Sequence, residues 1–184
     1  MKADLFWRAL AWPGLEHLAL REVADGIVGD GALVALCEGE PVRLSYRVTC
    51  DRSWRTRRVE LGLPLRGRTE RLDSDGAGRW RGPGGQALGE LDGCVDIDIA
   101  LTPFTNTLPI RRLDLAAGDS RELRVVYFDF PEFRPAAATQ RYTCLERRGG
   151  GGLYRYQSGD FSADIAVDDE GLVETYPDLW QRAA

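Results

Sequence analysis

Polar and apolar residues alternate with a period of two through much of this chain, and that pattern points to β-structure. The clearest run is Arg43-Leu44-Ser45-Tyr46-Arg47-Val48-Thr49-Cys50, in which even positions are apolar or aromatic and odd positions polar. Successive side chains of a strand point to opposite faces, so such a run sets one face in a core and the other in water. Val95-Asp96-Ile97-Asp98-Ile99-Ala100-Leu101 and Phe161-Ser162-Ala163-Asp164-Ile165-Ala166-Val167 repeat the pattern, with odd positions apolar. Leu123–Phe130 is more continuously apolar, as suits a strand covered on both faces. Arg141–Arg147 and Leu153–Gln157 flank the Gly149–Gly152 run as the arms of a hairpin. Turn signals recur at Asp25-Gly26, Asp30-Gly31, Glu38-Gly39, Asp75-Gly76, Asp92-Gly93 and Glu170-Gly171, where glycine supplies the positive φ of tight turns. Short strands between frequent turns predict an all-β barrel, roll or sandwich.

Two segments could be helical. Leu15–Val23 has good helix formers, but it runs into Asp25-Gly26 and the apolar stretch from Ile27, which favours a strand and hairpin. A short helix near Thr102–Leu108 is limited by Pro103 and Pro109. The 184 residues suit one domain spanning 1–184, without internal repeats, in which Gly-rich Arg81–Gly89 is a loop.

Charge and motif content exclude several functions. A net charge of −5 argues against sequence-independent nucleic-acid binding, which needs a basic face. Lys2 is the only lysine, so basic recognition falls to arginine, whose planar fork suits anions and sugars. No stretch reaches the roughly 18 apolar residues of a membrane span. Met1–Gly14 lacks the apolar region of a secretory signal, so a cytoplasmic location without stable membrane insertion is expected. Cys37, Cys50, Cys94 and Cys144 are too widely spaced for a zinc motif and are expected as free thiols. His17 is the only histidine, and phosphate-loop, dinucleotide and HExxH motifs are missing. No catalytic residue, metal or cofactor is therefore assigned.

Asp96 and Asp98 share a strand face by parity. Two carboxylates so placed need water, a cation, an arginine or ligand hydroxyls. Three readings follow: a solvated face or an ion pair with Arg111 or Arg112, a sugar or cation site, or acid–base catalysis. The next segment, Thr102-Pro103-Phe104-Thr105-Asn106-Thr107-Leu108-Pro109-Ile110-Arg111-Arg112-Leu113, is rich in Pro, Thr and Asn. It is either a structural crossover or a wall presenting Asn106 and Arg111 to a polar headgroup. Convergence of Asp96, Asp98, Asn106 and Arg111 at one mouth of the fold is the specific expectation. Trp54, Trp80, Tyr142, Tyr154, Tyr156, Phe161, Tyr176 and Trp180 follow the strand phase in several places, and a minority could stack on a sugar or line a cavity.

Several of these stretches carry a family resemblance. Tyr46-Arg47-Val48-Thr49-Cys50-Asp51-Arg52-Ser53-Trp54-Arg55-Thr56-Arg57 resembles the Y-x-V-x-C-D-x-x-W-x-T-R pattern of the bacterial "putative glycolipid-binding" family, formerly a domain of unknown function. Asp96-Ile97-Asp98, the Thr102–Leu113 run, Gln140-Arg141-Tyr142 and Val167–Pro177 resemble its further segments, over nearly the whole chain. The resemblance implies a spiral β-roll, a half-open antiparallel barrel distantly like periplasmic lipoprotein carriers such as LolA and LppX. It also implies glycolipid binding, and it adds Trp54, Arg57, Gln140, Tyr142 and Tyr176 to the candidate ligand-binding residues.

The expected function is non-catalytic binding of an amphipathic small molecule or glycolipid, with an apolar cleft for the tail and a polar mouth for the headgroup. A ten-carbon tail offers roughly 8 kcal/mol before ordering costs. Two alternatives remain: a hydrolase of a sugar or lipid ester using Asp96 or Asp98, and a protein-interaction module, for which a dimer is possible.

Overall fold

A computed structural model describes residues 2–183. Its strands are β1 (Lys2–Ala9), β2 (Gly14–Val23), β3 (Gly26–Cys37), β4 (Glu40–Asp51), β5 (Thr56–Leu63), β6 (Arg68–Ser74), β7 (Trp80–Arg81), β8 (Asp96–Ile99), β9 (Ser120–Phe128), β10 (Pro135–Arg148), β11 (Gly151–Ser158), β12 (Phe161–Asp168), β13 (Val173–Tyr176) and β14 (Trp180–Arg182). All belong to one sheet, ordered β7-β6-β5-β4-β3-β2-β1-β14-β13-β12-β11-β10-β9-β8. Leu15–Val23 lies in β2 and pairs with β3, as the Asp25-Gly26 turn implied. Apart from Asp30-Gly31, discussed below, the glycines of the predicted turns do lie at chain reversals.

The sheet is a half-open barrel. Its two edges approach without pairing strand to strand. Gly93 N–H donates to Gly78 O at 2.9 Å, and Trp80 Nε1 donates to Cys94 O at 2.7 Å. Arg68 also donates to the backbone carbonyls of Glu132 and Phe133. Alternate residues fill the concave side: Leu18 and Leu20 of β2, Leu44, Tyr46 and Val48 of β4, Tyr142 and Cys144 of β10, and Ile165 of β12 are all buried. In β9, adjacent Val125 and Val126 are both buried, so its second half is covered on both faces. Cys37, Cys50, Cys94 and Cys144 are buried and unpaired.

One pairing is parallel: β8 runs alongside β9. Parallel neighbours need a crossover, and the Thr102–Leu113 run supplies it. A 3-10 turn (Phe104–Asn106) leads into α1 (Thr107–Leu113). This helix runs further than its prolines suggested. Pro109 is its third residue, within the first turn, where backbone N–H groups have no intrahelical partner to lose.

The crossover plugs the concave face. Phe104 and Leu108 are buried, and the Phe104 ring stacks on Tyr46 at 6.0 Å. This packing corrects one expected turn, because β3 runs straight through Asp30-Gly31. A Cβ on Gly31 would overlap the Tyr46 ring, and one on Gly29 would sit 2.6 Å from Phe104. These glycines make room for aromatic rings; they do not reverse the chain.

Candidate functional site

The barrel has two rims, and the candidate residues divide between them. The first rim gathers the ends of β1, β3, β8, β9, β11 and β13. A cavity of about 420 Å³ opens there, inside the range of small-molecule sites. Asp98, Leu101, Thr102 and Asn106 line it beside Tyr127, Phe130, Tyr156, Phe161, Tyr176, Trp12 and Trp180. Leu101 has a φ of 68°, a left-handed conformation uncommon for a residue with a side chain, where the chain leaves β8 for the plug.

Asp98 is the polar centre of this rim. Its Oδ1 accepts from Thr105 Oγ1 at 2.9 Å, and its Oδ2 accepts from Gln140 Nε2 at 2.6 Å and Tyr156 OH at 3.3 Å. Burial pushes its pKa up, while the bonds from Gln140, Thr105 and Tyr156 oppose the rise. Asn106 Oδ1 accepts from Tyr142 OH at 2.8 Å, and the Tyr142 and Tyr156 rings meet edge to face at 5.3 Å. Tyr156, Phe161 and Tyr176 form a three-ring wall with centroids 6.0–6.3 Å apart.

Asp96 differs, although it shares the strand face. It is wholly buried, and Arg112 grips it through Nε at 2.9 Å and Nη2 at 2.6 Å. Burial raises the Asp96 pKa, and the guanidinium opposes that rise. The polar phase of β8 is therefore largely withdrawn from water, Asp96 wholly and Asp98 except where it lines the cavity, because the crossover folds back over it.

Arg111 does not join Asp98. It lies on the opposite rim, with its guanidinium 5.3 Å from the Trp54 ring centre, and it lines a separate cavity of about 360 Å³ with Arg147, Asp168 and Gly171. The reason is geometric. The helical rise of about 1.5 Å per residue carries the chain roughly 7 Å along the barrel between Asn106 and Arg111. Trp54 reaches this rim through a tight turn in which Asp51 Oδ1 accepts from Ser53 N–H at 2.9 Å and Arg55 N–H at 3.1 Å. Arg57 bridges strands instead, donating to Ser74 O at 3.3 Å. The structure thus brings together Asp98, Asn106, Gln140, Tyr142 and Tyr176, and it sets Asp96, Arg111, Trp54 and Arg57 apart.

Glu16 is the functional-looking group that sequence reasoning missed. It sits on the apolar phase of β2 beside Leu18 and Leu20 and is wholly buried. Its Oε1 accepts from Tyr46 OH at 2.5 Å and Thr102 Oγ1 at 2.6 Å, pinning the crossover to the sheet. Its Oε2 has no hydrogen-bond partner among the described residues. Burial pushes its pKa up to about 7. A lone carboxylate in the apolar phase of a strand was the available signal.

Fold and cavity together define a half-open β-barrel, plugged by its own crossover, with an aromatic cavity at one rim. The chain belongs to the "putative glycolipid-binding" family, whose model matches residues 4–182. It is similar to a crystal structure of a DUF1089 family protein from Pseudomonas aeruginosa. The two are 38% identical, with a TM-score of 0.79 over 92% of this chain and 91% of that one. No curated protein matches the chain. No helix among the described residues is long and apolar enough to cross a membrane.

Proposed function

We propose that the protein binds a glycolipid without altering it, seating the sugar in the cavity at the Asp98 rim. The observation that carries this reading is the cavity itself: a three-ring wall of Tyr156, Phe161 and Tyr176 beside a hydrogen-bonded carboxylate. Aromatic faces pack against the apolar faces of sugars, while Asp98 and Asn106 meet hydroxyls. Phe104 and Leu108 occupy the concave face where a carrier would hold acyl chains. The sugar and the first carbons of the tail therefore supply the affinity, and the rest of the tail lies outside. The family description agrees with this reading.

Trp12 and Trp180 line the cavity, so ligand entry should change tryptophan emission. Dodecyl β-glucoside, kept below its micellar concentration, is expected to give a saturable change that weakens at least about tenfold in Tyr176→Ala, in keeping with loss of an aromatic anchor. An unsaturable response, or equal affinity in the variant, would refute the assignment. A hydrolase reading is favoured by one feature, the presence of Asp98 and Asp129 in the same cavity. Release of free glucose from the same glycoside would establish it, and we expect none.

A further inference from the structure

The charge of the cavity is one-sided. Glu38, Asp98 and Asp129 line it, and among the described residues no arginine or lysine does, although the chain carries 24 basic residues. Asp98 and Asp96 lie two residues apart on one strand face, yet only Asp96 has a guanidinium partner. The three groups that hold Asp98 are an amide, a hydroxyl and a phenol, none of which carries positive charge. A partly buried carboxylate held only by neutral donors attracts a cation strongly, because little water screens it.

Two further observations narrow the cation. An ionised carboxylate offers about four acceptor positions, and the three donors to Asp98 leave one open on Oδ1. Gln140, 2% exposed, gives its Nε2 to Asp98, and its Oε1 has no partner among the described residues. The open carboxylate position calls for a hydrogen-bond donor, and the unpaired amide oxygen, on a residue bonded to the same carboxylate but outside the cavity lining, adds negative potential there. A protonated amine supplies donors and charge together, whereas a quaternary ammonium supplies charge alone. The aromatic rings reinforce the choice, since their faces are negative and attract cations.

We propose that the cavity selects a headgroup bearing a protonated amine, such as an amino sugar, over neutral and anionic headgroups. This rests on the glycolipid-binding reading and specifies its ligand class. The test compares three dodecyl glycosides by calorimetry at neutral pH: the 2-amino sugar, its N-acetyl form and the glucuronide. The expected order is amine first by about tenfold or more over N-acetyl, with the glucuronide weakest. Asp98→Asn should lower the amine to N-acetyl ratio to about threefold or less, the share left to Asp129. Asp129→Asn, at the exposed edge, should lower that ratio by about twofold to threefold, and it keeps the test decisive if Asp98→Asn fails to fold. Equal binding of the three glycosides, or a ratio unchanged in every variant that folds, would overturn amine selection while the binding reading stands. Binding of none would overturn both.

Discussion

Glu16→Gln isolates one buried ionisation. In the folded protein the Glu16 pKa lies at about 7, against 4.5 for the free side chain, because burial disfavours the carboxylate. Between those two values the native state keeps a proton that the unfolded chain has released. Stability therefore falls as pH rises from about 4.5 through about 7, and the full penalty is present above that. The gap of about 2.5 pKa units corresponds to about 3 kcal/mol. Glutamine keeps the acceptor for Tyr46 and Thr102 and cannot ionise. Its Nε2 takes the place of the unpartnered Oε2 and costs roughly 1–3 kcal/mol at every pH. The variant should thus be the less stable protein at pH 5 and should gain about 2.5 kcal/mol relative to wild type between pH 5 and pH 8.5, because part of the penalty is already present at pH 5. Urea titrations of both proteins at the two pH values measure that difference, in which the other titrating groups largely cancel. For a chain of this length the corresponding relative shift in Tm is roughly 5–10 °C. Parallel stability profiles for the two proteins would refute the assignment of a buried, proton-retaining Glu16.

Three further outcomes follow from the packing. Arg112→Ala leaves Asp96 buried without its cation and should cost about 3–5 kcal/mol in denaturant, whereas Asp96→Asn with Arg112→Leu should recover much of it; equal losses would contradict a paired role. Gly29→Ala should cost about 1–3 kcal/mol, because the new methyl meets the Phe104 ring, and Phe104→Leu in that background should restore part of the loss. Thiol titration in denaturant without reductant should find four free thiols, and fewer would contradict the unpaired cysteines.

Strand periodicity made most of the sheet legible, because alternation at Arg43–Cys50 records burial one residue at a time, whereas in Phe161–Val167 only Ile165 and Val167 are buried and Phe161 is exposed at the cavity rim. Asp30-Gly31 misled for a physical reason: a glycine reads the same whether it turns a chain or vacates space for Tyr46. The candidate site was half legible. Parity put Asp96 and Asp98 on one face, but it could not show that the crossover would cover both and give Arg112 to only one. Neighbours in sequence, Asn106 and Arg111, separated because a helix carried them towards opposite rims. Trp12 and Trp180, which share the cavity, are brought together only by the β1–β14 pairing.

Native mass spectrometry of the protein purified from its own host tests the central claim most directly. The account predicts a single non-covalent adduct per chain, a sugar-bearing lipid on fragmentation, that is lost or sharply reduced in Tyr176→Ala purified in the same way. A bare chain from the host, or an adduct retained undiminished by the variant, would contradict it.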